Sequence, residues 1–194
     1  MSYIITYIKH LQIMANKRIV MSGAQSTGKS TVLNLFKEAG YPVITEVVRN
    51  LVKEKGISIN KEGTDETQMM VFNTYYDVLA KTEKYVSDRG LTDVISYTTA
   101  GVFEGKVSKS TLDAQEIMIE EFVQSNPDII YIYFPIEFPV VADGVRSVDE
   151  DYRKQIDNLI HDTLDVLHIP YLTVHGTPEE RFRQILDYVG PDLF

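Results

Sequence analysis

The chain has no cysteine and no tryptophan among its 194 residues. Without cysteine there can be no disulfide framework, no thiolate metal ligand and no cysteine nucleophile, and this composition suits a reducing cytosol. Long apolar runs are missing as well. None approaches the roughly 18 residues of a membrane span, and no stretch has the order of basic, apolar and small residues of a signal peptide. We therefore expect a soluble, cytoplasmic protein with no membrane segment.

Positive charge is scarce, because 19 Lys and Arg residues stand against 28 Asp and Glu residues and the formal net charge is −9. This balance argues against a broad nucleic-acid surface and favours a small ligand. Histidine is also rare, and no metal-ligand spacing is found among His10, His161, His168 and His175. We interpret these four as structural or solvent-facing residues. The composition leaves a homo-oligomer open.

Length and composition bound the number of domains. A chain of 194 residues, 44% hydrophobic and 24% charged, has room for one sizeable core and is too short for two ordinary domains. We predict a single domain over residues 17–194. Residues 1–16 carry no motif, and we expect a dispensable extension without a catalytic role. It is either a short helix packed on the domain or a leader upstream of a start at Met14.

One segment is far more informative than the rest: residues 23–30 fit the pattern G-x-x-x-x-G-K-[ST] at every fixed position. Gly23 and Gly28 allow the conformations and close approaches of such a loop, and its N–H groups form a concave nest at the start of a helix. Lys29 can reach the β- and γ-phosphates of a nucleotide, and the Ser30 hydroxyl is a small oxygen ligand for Mg²⁺. The predicted nucleotide-binding set is Gly23, Ala24, Gln25, Ser26, Thr27, Gly28, Lys29, Ser30 and Thr31.

Apolar runs and helical patterns alternate along the whole chain. Strands are predicted at 17–21, 41–45, 84–90, 128–134 and 171–175, and the fourth is apolar throughout, as a central parallel strand should be. Helices are predicted at about 28–39, from 47, at 64–84, 92–103, 110–124 and 149–167, and from 177, with the caps Thr64, Thr92, Ser110 or Thr111, and Thr177. Residues 56–63 are predicted to form a mobile loop. The alternation predicts an α/β fold in which a parallel sheet of about five strands has helices on both faces.

Ligands of such a sheet bind at the carboxyl ends of its strands, which places further polar residues near the loop. Asp88 ends the third strand, where it can bind the water shell of Mg²⁺, accept a proton from an attacking hydroxyl, or cap a helix. Glu46 and Arg49 follow the second strand and are either substrate contacts or the start of an amphipathic helix. Arg89 either contacts substrate or pairs with a local carboxylate.

Two arginines follow the central strand. Arg146 and Arg153 can both act from a lid that supplies positive charge to a transferring phosphoryl group and excludes water. For Arg153 the alternative is an i,i+4 ion pair with Asp149 on a solvated helix.

These segments occur in the same order in a known family: 23–30, 46–49, 87–89 with Asp93, and 143–157 with Tyr152 and Asp157. The set resembles the P-loop kinases grouped with the nicotinamide-riboside kinase domain of the bifunctional bacterial NAD-biosynthesis regulator, within the AAA-like ATPases. The resemblance covers most of residues 17–190. It implies that Lys29 and Ser30 hold ATP phosphates and Mg²⁺, that Asp88 serves the metal or the acceptor hydroxyl, and that Arg146 is a lid arginine. Residues 87–90 resemble the Asp-Arg signature of nucleoside and nucleotide kinases.

The sequence thus predicts a P-loop phosphotransferase that uses ATP and Mg²⁺ and acts on a small hydroxyl or phosphate acceptor: a nucleoside, a nucleotide or nicotinamide riboside. Its predicted catalytic residues are Lys29, Asp88 and Arg146, its metal ligands Ser30 and Asp88, and its candidate substrate residues Glu46, Arg49, Arg89, Asp93 and Arg153. One alternative is an ATPase or switch that acts through a protein partner, which the loop at 56–63 could serve. Another is a kinase of a nucleic-acid hydroxyl, which the negative net charge disfavours. The choice of ATP or GTP stays open.

Overall fold

The computed structural model describes residues 17–55, 63–139 and 149–190, in which strands and helices alternate. The strands are β1 Arg18–Ser22, β2 Val43–Ile44, β3 Tyr85–Asp88, β4 Ile129–Tyr133 and β5 Tyr171–Thr173. The helices are α1 Lys29–Glu38, α2 Val47–Lys55, α3 Asp65–Lys81, α4 Leu91–Phe103, α5 Lys109–Ser125, α6 Glu150–Val166 and α7 Pro178–Tyr188. The strands form one sheet in the order β2-β3-β1-β4-β5, and every pairing is parallel.

The central strand β1 shows why helices cover both faces of the sheet. Successive side chains of a strand point to opposite faces, and here both faces are apolar. Val20 belongs to a core formed with α3, α4, α5 and α6, whereas Ile19 and Met21 belong to a second core formed with α1 and α7. All three side chains are fully buried. The predicted α/β fold with a five-stranded parallel sheet is therefore confirmed.

The caps of two helices differ from the predictions. Thr92 does not cap α4; the helix begins one residue earlier with Gly90 at its N-cap, and the Asp93 carboxylate accepts a hydrogen bond of 3.3 Å from the Gly90 N–H. The Thr92 hydroxyl instead lies 2.8 Å from that of Ser22 on β1, a tertiary contact that a local pattern cannot reveal. Helix α5 is capped by Ser108 rather than by Ser110 or Thr111.

Other predictions hold with shorter limits. Thr64 and Thr177 cap α3 and α7 as predicted, each in a capping box. Helix α3 ends at Lys81, three residues before its predicted end, and β5 ends at Thr173 rather than at residue 175. The extension 1–16, residues 56–62 of the predicted loop, and Arg146 lie outside the described residues. Among the helices of the described ranges, none is long and apolar enough to cross a membrane.

Candidate active site

The G-x-x-x-x-G-K-[ST] segment connects β1 to α1 at the carboxyl end of the sheet. Gly23 has φ +152°, and a Cβ there would lie 2.4 Å from the carbonyl oxygen of Phe134, so no larger residue fits this turn. Gly28 has φ +89° and forms the N-cap of α1. The loop therefore leaves a central strand and enters a helix N-terminus, where peptide N–H groups and the helix dipole favour a bound anion.

Lys29 lies inside the loop and is 4% exposed. Its ammonium donates hydrogen bonds to the carbonyl oxygens of Gly23 at 2.6 Å and Ala24 at 2.7 Å, and to Thr27 Oγ1 at 3.1 Å. Burial lowers the pKa of Lys29 to about 8; the positive charge of Arg89 also lowers it, and nearby carboxylates oppose the shift. The charge that a polyphosphate would require is thus held at the loop by hydrogen bonds to backbone oxygen.

The loop and strand β3 bring two oxygen atoms together. Ser30 Oγ, in the first turn of α1, donates a hydrogen bond of 2.8 Å to Asp88 Oδ2 at the end of β3. Adjacent ligands in an octahedron with bonds of 2.0–2.1 Å stand about 2.9 Å apart, so the pair fits two neighbouring positions around Mg²⁺. Among the described residues there is no group of three or more His, Asp or Glu side chains that could hold a metal ion. A protein contribution of two oxygens suits Mg²⁺, which keeps several waters and also binds substrate phosphates.

Asp93 and Arg89 lie beside the first peptide of the loop. Asp93 is fully buried and accepts hydrogen bonds from the Gly23 N–H at 3.2 Å and from Arg89 Nη1 at 3.2 Å. Burial raises the pKa of Asp93, while the positive charges of Arg89 and Lys29 act against the rise. Arg89 Nη1 also donates to the Gly23 carbonyl at 3.4 Å, and the guanidinium lies 5.4 Å from the centre of the Tyr97 ring. Both residues therefore contact the loop itself.

Arg153 is fully buried against the same loop. Its Nε donates to the Gln25 carbonyl at 2.9 Å and its Nη2 to the Ser26 carbonyl at 3.1 Å. Its ion pair is with Glu150, one turn before it on α6, at 3.1 Å. Asp149, the partner considered from the sequence, caps α6 by accepting from the Tyr152 N–H at 3.0 Å.

Glu46 and Arg49 lie at the carboxyl end of β2, one strand beyond β3 and therefore further from the loop. They form an exposed ion pair of 3.1 Å, and Glu46 has φ +58° at the entry to α2. The structure thus brings Lys29, Ser30, Asp88, Arg89, Asp93 and Arg153 together at the loop and places Glu46 and Arg49 to one side.

Sequence reasoning missed Arg181 on α7, which is 1% exposed and donates to the Thr27 carbonyl at 2.5 Å. It also pairs with Glu137, which follows β4. A signal for it exists in the sequence. The buried positions of α7 are Arg181, Phe182, Ile185 and Leu186, so the arginine stands within the apolar stripe of an amphipathic helix. An arginine at such a position needs buried hydrogen-bond partners.

Residues 18–181 match the model of the family AAA_28, described as an AAA domain. This match spans most of the chain. The chain belongs to the AAA domain family. None of the curated proteins matches it.

Among the solved structures similar to this AAA domain protein are two named as kinases and one solved with NR. A structure of NadR in complex with NR is 15% identical with a TM-score of 0.70, over 93% of this chain and 52% of NadR, so the chain spans about half the length of NadR. Deoxyadenosine kinase from M. mycoides is 15% identical with a TM-score of 0.62, over 89% of this chain and 98% of the kinase. Thymidylate kinase from Ehrlichia chaffeensis is 14% identical with a TM-score of 0.54, over 90% of this chain and 98% of the kinase. The AAA domain protein therefore has the fold of the P-loop kinases, which confirms the predicted resemblance.

Proposed function

We propose that this AAA domain protein is a phosphotransferase that uses ATP and Mg²⁺ and moves the γ-phosphate to a small hydroxyl or phosphate acceptor. The observation that carries the proposal is the union of three parts at one end of the sheet. These are the Gly23–Gly28 loop at a helix N-terminus, the buried Lys29 ammonium, and the Ser30–Asp88 oxygen pair 2.8 Å apart. In phosphoryl transfer, the protein contributes mainly position and charge, and these three parts supply both.

The loop would bind the β- and γ-phosphates through its N–H groups and the positive end of α1. Lys29 would exchange its bonds to the Gly23 and Ala24 carbonyls for bonds to phosphate oxygen, and its buried position makes that charge more effective than it would be in water. The acceptor oxygen attacks the γ-phosphorus as the bond to the bridging oxygen of ADP breaks, and the charge that develops on the phosphoryl oxygens is stabilised by Lys29.

Ser30 Oγ and Asp88 Oδ2 are the residues that would hold Mg²⁺. When bound there, the ion neutralises the phosphate charge and orients the leaving group. Asp88 has a second role available to it, because a carboxylate at this edge of the sheet can accept the proton that a hydroxyl acceptor loses. If the acceptor is a phosphate, there is no hydroxyl proton to remove and only the metal role applies.

The acceptor class is drawn from the similar structures. NadR was solved with NR, and other similar proteins are a deoxyadenosine kinase and a thymidylate kinase. These names support a nucleoside, a nucleotide or nicotinamide riboside as acceptor. We assign the acceptor side to Glu46 and Arg49, which lie at the carboxyl end of β2, and the lid role to Arg146. We place the protein in the cytoplasm.

The experiment is a transfer assay with the purified chain. Labelled ATP and Mg²⁺ are incubated with nucleosides, nucleotides and nicotinamide riboside one at a time, with GTP as a second donor and with EDTA as a control. We expect transfer to one acceptor class that stops when EDTA removes the metal. If no acceptor is phosphorylated, and the chain only hydrolyses ATP slowly at a rate that a protein partner increases, the chain is a nucleotide-dependent switch instead.

A further inference from the structure

The carbonyl oxygens of five consecutive loop residues, 23 to 27, all accept hydrogen bonds from side chains. Those of Gly23 and Ala24 accept from Lys29. The next three accept from arginines of two different helices. Arg153 on α6 donates to residues 25 and 26 at 2.9 and 3.1 Å, and Arg181 on α7 donates to residue 27 at 2.5 Å. Each of the five carbonyl oxygens therefore accepts a hydrogen bond from a lysine or an arginine.

This pattern fixes the direction of the N–H groups of the loop. A trans peptide is planar, so its C=O and its N–H point in opposite directions. Arginines that hold the oxygens of residues 25, 26 and 27 therefore turn the N–H groups of Ser26, Thr27 and Gly28 to the other side of the loop. In a loop of this kind, successive N–H groups that point to one side form the nest that binds a phosphate.

We propose that Arg153 and Arg181 are positioning residues that form a carbonyl clamp, defined as these two guanidinium groups and the oxygens of residues 25–27. The clamp orients the loop N–H groups before the nucleotide arrives. This inference rests on the proposed function only in taking the loop as the site of nucleotide phosphates.

The hydrogen bonds of Arg153 argue for a supporting role. Its Nε and Nη2 donate to three backbone oxygens, those of residues 25, 26 and 138, and its Nη1 donates to both carboxylate oxygens of Glu150. These bonds use most of the five N–H donors of a guanidinium. Direct contact with a phosphate would require breaking some of them in a fully buried place, where an unsatisfied partner is costly.

Arg181 is likewise held by several contacts outside the loop. Its charge pairs with Glu137, its Nε donates to the Gly176 carbonyl at 2.9 Å, and its guanidinium lies 5.0 Å from the centre of the Phe138 ring. Arg153 Nη2 donates to the carbonyl of the same Phe138 at 2.9 Å. The clamp thus joins the loop to α6, to α7 and to the first residues after β4, so its geometry is set by three separate parts of the chain.

The clamp predicts an effect on affinity rather than on the chemical step. Without it the loop visits conformations whose N–H groups do not converge, and the apparent Kd rises as the competent fraction falls. We expect Arg153→Met and Arg181→Met to raise the Kd of ATP by about tenfold or more, and Arg153→Lys and Arg181→Lys to raise it less, because lysine keeps the charge without the fork. Turnover at saturating ATP should stay within about threefold.

The experiment measures the Kd of ATP by calorimetry on the full chain and its variants, together with melting temperatures. Lys154→Met on α6 and Arg183→Lys on α7 are matched controls, because both side chains are exposed, and each should bind ATP like the parent. Folded clamp variants that keep the parental Kd would overturn the proposal. So would a fall in turnover of a hundredfold with unchanged Kd, since this would make the arginines direct contacts of the transferring group.

A second measurement does not require the variants to fold. Backbone order parameters of residues 26–28 in the parent without nucleotide should be near 0.85, as for rigid backbone, and values below about 0.6 would overturn the clamp. Failure of the proposed function looks different: a parent that binds ATP but phosphorylates no acceptor refutes the phosphotransferase and leaves the Kd comparison valid.

Discussion

Lys29 is the residue whose charge bears most directly on nucleotide binding. It is almost completely buried, and burial lowers its pKa to about 8. Bound phosphates favour the protonated amine and raise that pKa again. Binding of ATP is therefore coupled to protonation of Lys29 whenever the pH exceeds the pKa of the free protein.

The coupling has a definite sign. Below about pH 8 the amine is already charged and binding takes up no proton; above it a growing fraction is neutral and must be protonated. We expect the affinity for ATP to fall by about tenfold from about pH 7 to about pH 9, with uptake of roughly one proton at the upper end. Calorimetry in buffers of different ionisation enthalpy measures the uptake. Lys37→Met, a change at an exposed lysine of α1, should keep this pH dependence, and a flat affinity in the parent would contradict it.

A change at Asp88 distinguishes a catalytic role of its carboxylate from a purely structural one, since Gly90 and not Asp88 is the N-cap of α4. Asp88→Asn keeps the shape and an oxygen but removes the charge, so turnover should fall by at least about a hundredfold while the affinity for ATP changes much less. Partial rescue by extra Mg²⁺ would indicate the metal role, and absence of rescue the proton-accepting role. Asp77→Asn, at an exposed carboxylate of α3, is the control. A fully active Asp88→Asn protein would move the catalytic carboxylate elsewhere.

At this scale, the sequence predicts local chemistry well and contacts between distant residues poorly. The glycines, Lys29 and Ser30 stand at fixed spacings within one short segment, so a motif identifies them. Arg181 lies 154 residues from the Thr27 carbonyl that it contacts. Only the packing of α7 against the loop brings the two together, and no spacing within the sequence encodes that contact.

Among the elements, α4 begins differently from its prediction, and a close contact lies at that point. The pattern of the sequence indicates a capping Thr92, but Gly90 forms the N-cap, at a point where the chain passes close to β1. A Cβ at Gly90 would lie 2.6 Å from Val20 Cγ1. The strands are easier to predict. A run such as β4 is buried along its whole length, so its apolar residues identify it without knowledge of which strands it pairs with.

This close approach predicts a cost for Gly90→Ala. The added methyl group meets a buried strand, and overpacking of this kind lowers the free energy of unfolding by about 1–3 kcal/mol. Urea denaturation of Gly90→Ala, Val20→Ala and the double variant forms a double-mutant cycle. The double variant should be less destabilised than the sum of the two single changes, because Val20→Ala removes the atom that clashes. Additive effects would contradict the steric account.

The whole molecule has a net charge of −9, yet one lysine and three arginines gather at the loop. Lys29, Arg89, Arg153 and Arg181 all donate hydrogen bonds to the oxygens of the loop. Each arginine is paired with a carboxylate: Arg89 with Asp93, Arg153 with Glu150 and Arg181 with Glu137. These pairs neutralise the arginines, which leaves Lys29 and the N–H groups of the loop to attract an anion. A site this confined suits a small polyphosphate better than an extended nucleic acid.

The order of the sheet explains how these groups meet. The arrangement β2-β3-β1-β4-β5 puts β1 between β3, which ends in Asp88, and β4, which leads to Glu137. Alternation of strands and helices in the sequence predicts a parallel sheet but does not give the order of its strands, because that order depends on long-range packing. The sequence therefore predicts which types of side chain lie at the carboxyl ends of the strands. It predicts only in part which of these side chains contact one another.

The central claim is that the loop at residues 23–30 is the site of phosphoryl transfer, and Lys29→Ala tests it most directly. The measurement is the rate of transfer from labelled ATP to the best acceptor, compared among the parent, Lys29→Ala and the control Lys37→Ala at equal folded concentration. Loss of the buried cation should slow transfer by roughly a thousandfold or more without abolishing the fold, and the control should match the parent. A folded Lys29→Ala protein with near-parental turnover would contradict the account.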